Sequence, residues 1–306
     1  MDKINGTIFD VRRFATHDGD GIRTTVFFKG CPLLCAWCHN PEGISTKRRP
    51  LYFEKKCIHC GSCASEAENG GVTLRGNKIA LDISKLEDWD SIMQICPTGA
   101  IAWDSRKIEV HKLFGEVMSD EPFFKYGGGV TLSGGEPLLQ PKFAAALLKL
   151  LREHDIHTAI ETALLVPKVN LQMVLPYLSH VFADCKIFDE QAHIAATKVS
   201  NTLIKQNIEY LLKSDKRANV VIRTPMIPQF TASDSNVAAI ARFISGIYPE
   251  VHYELLNYNP LASAKYHLIE REFCFKENPK RFTKAQMEHF AEIANSNGVK
   301  NVLIDE

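Results

Sequence analysis

The chain has 306 residues, of which 45% are hydrophobic and 24% are charged, proportions of a globular protein rather than a disordered or fibrous one. Its 36 basic residues equal its 36 acidic residues in number, so we expect neither a nucleic-acid surface nor a polybasic membrane contact.

No apolar run reaches the ~18 residues of a membrane span, and no signal peptide is visible at Met1. We therefore expect a cytoplasmic protein in a reducing compartment. In such a compartment, nine cysteines indicate metal or redox chemistry rather than disulfides.

The first predicted strand, residues 24–28, leads directly into a cysteine-rich loop. Cys31, Cys35 and Cys38 have the spacing C-x₃-C-x₂-C, and Trp37 precedes the last of them. A [4Fe–4S] cluster normally takes four cysteine ligands, so three cysteines leave one iron with a free position for a substrate. The x₃ gap fits zinc poorly, and structural disulfides are typical of small secreted domains.

A later region without clear periodicity carries a second cysteine group. Cys57, Cys60 and Cys63 are spaced C-x₂-C-x₂-C, and Cys96 follows much later in a Cys-Pro step. The arrangement resembles a bacterial ferredoxin module, in which the remote cysteine is the fourth ligand. Because Ala67 stands where a further cysteine would continue the triad, we expect one auxiliary [4Fe–4S] cluster. A zinc knuckle made of the same four residues is the alternative.

The next predicted strand, residues 130–133, ends in Gly134, Gly135 and Glu136. Glycines at a strand end let a ligand approach the backbone closely. The run lacks the spacing of a phosphate-binding Walker loop. A tight turn without a ligand is the other interpretation.

Alternating strands and helices fill the rest of the chain. We predict strands at residues 157–161, 181–187, 219–224, 252–256 and 301–304, and helices at residues 140–154, 170–178, 201–212, 233–247 and 283–297. This alternation predicts an α/β fold built from parallel βαβ units, whose ligand sites lie at the carboxyl ends of the strands. A doubly wound open sheet is also compatible with the pattern.

The segment GIRTTVFFKGCPLLCAWCHNPE, residues 21–42, is similar to the N-terminal signature of the activating enzymes of glycyl radical enzymes. This family is a branch of the radical S-adenosylmethionine (SAM) superfamily. The Gly-Gly-Glu run and the later Asp184-Cys185-Lys186 run resemble two further motifs of that family, GGE and D-x-K. The resemblance implies a partial (β/α)₆ barrel at residues 1–49 and 105–306, with a ferredoxin-like iron–sulfur insertion at residues 50–104.

The resemblance also implies roles for individual residues. The three cysteines of the first loop would hold the catalytic cluster, and SAM would bind its fourth iron. The SAM amino group would meet carbonyls around Ser133, Gly134 and Gly135 and the carboxylate of Glu136, since an ammonium group needs acceptors. Lys186 would bind the SAM carboxylate or ribose. A polar wall of Asp184, Glu161 and Thr162 would adjoin it, with a monovalent cation nearby in some relatives.

Four further residues have weaker assignments. Trp37 would pack beside the cluster and the adenine, or serve only in the core. Arg223 would line the SAM or peptide site, or face solvent. Asn259 stands where some relatives have histidine, and because asparagine does not titrate it cannot transfer a proton. Cys185 and the remaining Cys274 are expected to be packed or surface residues without a cluster.

The function that this resemblance implies is reductive cleavage of SAM to a 5′-deoxyadenosyl radical. The radical would abstract a hydrogen from a glycine of a partner glycyl radical enzyme, with flavodoxin or ferredoxin as the electron donor. One alternative is a radical SAM enzyme that acts on a small molecule, and another is an iron–sulfur electron carrier. The residues on both sides of the first cysteine loop favour the activating enzyme.

Overall fold

The structure is a computed structural model that describes residues 3–266, 269 and 271–305. These residues contain thirteen β-strands: β1 Asn5–Ala15, β2 Arg23–Phe28, β3 Pro50–Tyr52, β4 Val72–Arg75, β5 Lys78–Leu81, β6 Ile101–Trp103, β7 Arg106–Glu109, β8 Gly129–Gly134, β9 His157–Thr162, β10 His180–Asp184, β11 Val220–Pro225, β12 His252–Leu256 and β13 Asn301–Ile304. They also contain ten α-helices: α1 Ser62–Glu66, α2 Trp89–Gln94, α3 Val110–Met118, α4 Pro141–Glu153, α5 Lys168–Val174, α6 Glu190–Thr197, α7 Thr202–Lys213, α8 Asp234–Ile247, α9 Ser263–Tyr266 and α10 Lys284–Ser296. Within this described part, no helix combines the length and apolar character needed to cross a membrane.

Nine of these strands form one sheet in the order β13-β12-β11-β10-β9-β8-β2-β1-β7. From β2 to β13, neighbouring strands run parallel, and from β8 onwards each connection leads to the adjacent strand. Between β2 and β8 the chain passes through β3 to β7, and β7 lies at the far edge of the sheet beside β1. A doubly wound sheet reverses its strand order at a switch point, and the described strands do not. The sheet therefore confirms the predicted α/β fold with the six crossovers of a partial (β/α)₆ barrel.

The antiparallel strands β1 and β7 extend the sheet beyond β2, and the sequence pattern does not predict them. In β1, Gly6 and Ile8 are buried and the remaining nine residues are not, so the strand shows little alternation of apolar and polar residues. The register between β1 and β2 also shifts twice along the pair. The hairpin loop that follows β1 enters the site described below.

Two predicted elements end earlier than their sequence pattern suggests. The strand expected at residues 181–187 stops at Asp184, where the backbone amide of Cys185 donates to the carbonyl of Arg223 at 2.9 Å and the chain leaves the sheet. Helix α5 ends at Val174, and Leu175–Tyr177 forms a 3₁₀ turn with a proline in its first positions. Proline lacks the amide that would continue the α-helix.

Amphipathic helices cover the parallel strands. In α4, the buried residues follow helical spacing: Phe143, Ala144, Leu147, Leu148 and Leu151. Helix α10 begins with a capping box, in which Thr283 and Gln286 each bond to the backbone of the other. The apolar faces of these helices and the strands below them form the largest described hydrophobic core.

Residues 50–103 form a small unit of their own between β2 and β7. Strand β3 pairs with β6, β4 pairs with β5, and helices α1 and α2 pack beside them. Their buried side chains make a separate small core: Cys63, Val72, Ile79, Trp89, Ile92 and Ile101. At the base of this unit, the ammonium group of Lys29 lies 2.6 Å from the carboxylate of Asp104, and neither side chain is exposed.

Candidate functional site

The first cysteine loop begins at the carboxyl end of β2 and has no regular secondary structure. Its entry is fixed by two backbone hydrogen bonds, from Gly30 to Gly43 at 2.7 Å and from Cys31 to Ile44 at 2.9 Å. Burial raises the pKa of all three thiols of the loop, that of Cys35 to about 12. Buried thiols of this kind form thiolates only when a positive centre such as cluster iron binds them.

The loop also bonds to the carboxyl end of α6. The amide of Leu34 donates to the carbonyl of Thr197 at 2.9 Å, and the amide of Ala36 donates to the carbonyl of Ala196 at 3.1 Å. These carbonyls lie in the last turn of the helix, where no intrahelical partner is available. These two backbone amides of the irregular loop therefore have hydrogen-bond acceptors, although the loop has no partner in the sheet.

A cavity of about 360 Å³ opens beside this loop at the carboxyl ends of the parallel strands. It brings together nearly all of the residues that the sequence singles out: Cys31, Cys35, Trp37, Cys38, Ser133, Gly134, Gly135, Glu161, Thr162, Asp184, Lys186, Arg223 and Asn259. These side chains are spread over more than two hundred positions of the sequence, from Cys31 to Asn259. Their convergence follows from the parallel register, since all these strands end at one edge of the sheet.

Gly134 and Gly135 are required for the close contact between β8 and the cysteine loop. Gly134 has a φ of +115°, and a Cβ there would lie 2.4 Å from the backbone nitrogen of Phe28. A Cβ on Gly135 would lie 2.1 Å from the carbonyl oxygen of Gly30. A larger residue at Gly134 would separate β8 from β2, and one at Gly135 would push the cysteine loop away from the turn after β8.

Glu136 is not among the residues that line the cavity. Its side chain is completely buried and accepts hydrogen bonds from the amides of Leu138 and Ala163 at 3.1 and 2.8 Å, and from the hydroxyl of Thr162. Burial raises the pKa of this carboxyl to about 7. The geometry gives Glu136 a positioning role behind the site, whereas the sequence resemblance implies direct contact with SAM.

Lys186 and Asp184 line the same cavity and form an ion pair. Burial lowers the pKa of Lys186, but the neighbouring Asp184 and the thiol of Cys35 raise it more strongly, so the net shift is upward. The ammonium group is therefore charged throughout the physiological range. A cation that lines the same cavity as the cysteine loop is suited to bind a carboxylate.

Arg223 separates the cavity from a second one of about 420 Å³ deeper between the strands, and it lines both. Its guanidinium lies 2.6 Å from Glu161 and 2.5 Å from Glu254, and it stacks on Phe182 with its carbon 3.6 Å from the ring centre. The side chain is buried, so the solvent-facing alternative for this residue is wrong. The three charges hold the ends of β9, β11 and β12 together.

Trp37 and Asn259 differ in burial. Trp37 is 3% exposed, lines the cavity and packs on Phe230 with ring centres 5.1 Å apart. Asn259 is exposed at the rim, and its side-chain oxygen accepts from the amide of Leu261 at 3.0 Å. Cys185 is buried in the main core, and Cys274 is half-buried among aromatic rings, as expected for packed residues.

Asp18 and His17 also line the cavity, and sequence reasoning did not identify them. Both lie in the loop between β1 and β2, which folds into the barrel. The Asp18 carboxylate accepts from the hydroxyl of Thr25, and its carbonyl accepts from Thr131 at 2.8 Å. Recognising β1 as the partner of β2 would have placed this loop in the barrel.

The second cysteine group lies in the small unit at residues 50–103. Cys57, Cys60, Cys63 and Cys96 line a common cavity, together with Tyr52. Among the described residues, no three His, Cys, Asp or Glu side chains are grouped to hold a single metal ion.

Two backbone amides and one hydroxyl in this cavity suit a sulfur-rich ligand. The amide of His59 donates to the sulfur of Cys57 at 3.3 Å, and the amide of Ala100 donates to the sulfur of Cys96 at 3.2 Å. The buried hydroxyl of Tyr52 lies beside the thiol of Cys57 and interacts with it. A hydroxyl in this position is a donor directed at a cysteine sulfur.

Comparisons with known proteins agree with this geometry. Residues 17–164 match a protein-family model described as a 4Fe-4S single cluster domain. The chain is 39% identical to the isethionate sulfite-lyase activating enzyme of Desulfovibrio desulfuricans, over 89% of this chain and 88% of that protein. It is 36% identical to the indoleacetate decarboxylase activating enzyme of Tractidigestivibacter scatoligenes, over 98% of both chains.

A solved structure supports the fold independently. A radical SAM methyltransferase from Sphaerobacter thermophilus superposes with a TM-score of 0.56 and 14% identity, over 97% of this chain and 76% of that one. At this identity the similarity concerns the fold alone.

Proposed function

The chain belongs to the activating enzymes of glycyl radical enzymes, a family of radical SAM oxidoreductases, and on this premise we propose which of its residues perform each task. Members of this family use an iron–sulfur cluster and SAM to act on a partner glycyl radical enzyme. When bound and reduced, the cluster would supply the one electron that cleaves SAM to methionine and a 5′-deoxyadenosyl radical, and this radical would take a hydrogen atom from a glycine of the partner.

Cys31, Cys35 and Cys38 hold the catalytic cluster in our proposal. The support is their shared position in one cavity, their burial, and the odd number of thiols, which leaves one iron for SAM. Lys186 binds the SAM carboxylate, because it is a charged group that lines the same cavity. The carbonyls of β8 around Ser133 and Gly134 receive the amino group.

The remaining wall residues orient the substrate and exclude water. Trp37 packs between the cysteine loop and the aromatic residues behind it, and so shields the cluster side of the cavity. Arg223, with its two glutamates, closes the cavity towards the barrel interior. Asn259 contributes a polar group at the rim and no proton, since its amide does not titrate.

Cys57, Cys60, Cys63 and Cys96 hold one auxiliary [4Fe–4S] cluster in a ferredoxin-like domain at residues 50–104. The support is the common cavity, the two amides directed at cysteine sulfurs and the Tyr52 hydroxyl beside the thiol of Cys57. Residues 1–49 and 105–306 form the SAM-binding domain. A flavodoxin or ferredoxin of the cytoplasm supplies the electron, because the reaction consumes one and SAM cannot provide it.

A monovalent cation near Asp184 has less support. Asp184 is already paired with Lys186, and Glu161 is paired with Arg223. These carboxylates therefore have cationic partners without an added ion, and no step of the reaction described above depends on one.

The observation that carries the proposal is the single cavity that joins the three thiols, the glycine strand end and Lys186. The test is anaerobic incubation of reduced enzyme with SAM and a panel of glycyl radical enzymes, including a sulfite-lyase and a decarboxylase. We expect a glycine-centred radical in the electron paramagnetic resonance (EPR) spectrum of at least one partner and one 5′-deoxyadenosine per radical. Lys186→Met should weaken SAM binding while leaving the iron content unchanged. Deoxyadenosine without a radical on any partner would contradict the proposal.

A further inference from the structure

The long connection between β12 and α10 contacts the cysteine loop through two of its side chains. The structure describes residues 257–283 of this connection except 267, 268 and 270. At its middle, the hydroxyl of Tyr266 donates to the carbonyl of Cys38 at 2.9 Å and reaches that of Ala36 at 3.3 Å. Tyr266 is 3% exposed, so these bonds form in a water-poor environment.

Arg271, five residues later, bonds to the same loop. One nitrogen of its guanidinium donates to the carbonyls of Leu34 and Cys35, both at 3.2 Å. The side chain is half-buried. A guanidinium in this position carries a permanent positive charge to the backbone of a proposed cluster ligand.

The connection is anchored on both sides of these contacts. The ammonium group of Lys265 lies 2.8 Å from the side-chain oxygen of Asn40 and 2.6 Å from the carboxylate of Glu42, just beyond the cysteine loop. Phe273 packs on Tyr266 with ring centres 4.8 Å apart, and Phe275 packs on Phe230 behind Trp37. These contacts restrict the freedom of Tyr266 and Arg271 to leave the loop.

The cysteine loop is therefore held between two elements. The last turn of α6 accepts the amides of Leu34 and Ala36, and the connection donates to the carbonyls of Leu34, Cys35, Ala36 and Cys38. A loop without regular structure needs such partners to keep one conformation. The two sides differ in charge, because carbonyls on the α6 side are neutral and Arg271 is a cation.

We infer that Arg271 and Tyr266 are positioning residues for the catalytic cluster: Tyr266 fixes the loop, and Arg271 fixes it and makes the cluster easier to reduce. The inference rests on the proposed function, in which Cys31, Cys35 and Cys38 bind the cluster. A reduced cluster carries one more negative charge than an oxidised one, and a nearby cation stabilises the reduced form. SAM cleavage requires that form, so the charge of Arg271 supports the first step of the reaction.

The test is a redox titration monitored by EPR on anaerobic holoenzyme. The catalytic cluster is identified as the signal that changes when SAM is added, which separates it from the auxiliary cluster. For Arg271→Met, we expect the ratio of reduced to oxidised catalytic cluster at a fixed potential to fall at least about fivefold, since a charge near the cluster has been removed. Arg271→Lys should restore most of that ratio, because it keeps the charge.

The variant Tyr266→Phe removes a hydrogen bond to the cysteine loop without removing a charge, so it tests the two effects separately. It should leave the ratio within about twofold of the wild type but release cluster iron several-fold faster to a chelator, because the loop has lost a donor. Arg106→Met is the matched control, since Arg106 pairs with Glu116 on the surface, and it should change neither quantity.

Three outcomes can be distinguished. If wild-type enzyme shows no SAM-responsive cluster, the proposed function fails. If wild type responds to SAM and Arg271→Met has full iron content but an unchanged ratio, the function stands and the inference about Arg271 is wrong. An unchanged rate of iron release in Tyr266→Phe would likewise refute the role given to Tyr266.

Discussion

The hydroxyl of Thr162 lies 2.8 and 2.9 Å from the two carboxylate oxygens of Glu136, and it connects the end of β9 to the turn after β8. Two backbone amides complete the set of donors around this carboxylate. The Glu136 carboxylate is fully buried, so these hydrogen bonds hold it in one position between the ends of β8 and β9. Its protonation should therefore affect the stability of the whole site.

We expect Glu136 to make stability depend on pH. Its folded-state pKa of about 7 lies above the ordinary value of 4.5, so the native state holds the proton more tightly than the unfolded state. Between these values unfolding releases the proton, and stability falls as pH rises, by as much as about 3 kcal/mol. Glu136→Gln cannot titrate and should lack this loss. Anaerobic thermal unfolding of both proteins from about pH 5 to about pH 8 measures the difference, and parallel pH profiles would contradict the expectation.

We expect the two cysteine groups to be independent. Replacing Cys31, Cys35 and Cys38 by alanine should lower the iron content from about eight to about four per chain and abolish SAM cleavage. Replacing Cys57, Cys60, Cys63 and Cys96 should remove about the same iron but leave SAM cleavage with a chemical reductant. Cys274→Ala is the control and should keep all the iron. Zinc in place of iron at the second group would show the knuckle alternative to be correct.

We expect Gly135→Ala to be strongly disruptive. A Cβ at this position would lie 2.1 Å from the carbonyl oxygen of Gly30 and 2.7 Å from that of Gly43, and both are backbone atoms that cannot move alone. Overpacking of this kind costs about 1–3 kcal/mol. SAM affinity should fall as well, because the loop would be pushed from β8. Gly246→Ala, at an exposed helical position with no atom within 4 Å, should instead stabilise the protein by about 0.5–1 kcal/mol.

We expect the buried pair of Lys29 and Asp104 to show strong coupling. Asp104→Asn leaves the buried ammonium group of Lys29 without a carboxylate, and should cost about 3–5 kcal/mol. Lys29→Met should cost less, because Arg49 lies 3.4 Å from the carboxylate of Asp104 and remains as its partner. The double variant should cost less than the sum of the two. The exposed pair of Lys300 and Glu250 is the comparison, and its coupling should stay below about 1 kcal/mol. Equal coupling energies from the two double-mutant cycles would show that burial of the first pair has no energetic consequence.

Sequence patterns predicted the parallel strands and their helices well, because each strand is a short apolar run between amphipathic segments. Strands β12 and β13 were predicted with their correct bounds. The patterns did not predict β1, since it is exposed along much of its length. Asp18 was missed for the same reason, as its place in the cavity depends on the pairing of β1 with β2.

Local motifs also predicted which residues meet in the cavity, but not how each of them is used. Glu136 belongs to a motif, yet its carboxylate is directed behind the cavity by Thr162 and two amides that are distant in the sequence. Arg271 and Tyr266 belong to no recognised motif. Their contact with the cysteine loop depends on the path of an irregular connection, and hydrophobic periodicity does not specify such paths.

Pro50 and Trp103 face each other in the short pair of β3 and β6, so the polypeptide leaves the barrel and returns to it at one place. A segment attached in this way changes neither the order nor the register of the strands on either side. Evolution can therefore acquire, lose or exchange the cysteine-rich unit in one recombination event while the SAM-binding barrel keeps its geometry. The cysteine-rich unit can thus diversify separately from the barrel that carries the first cysteine loop.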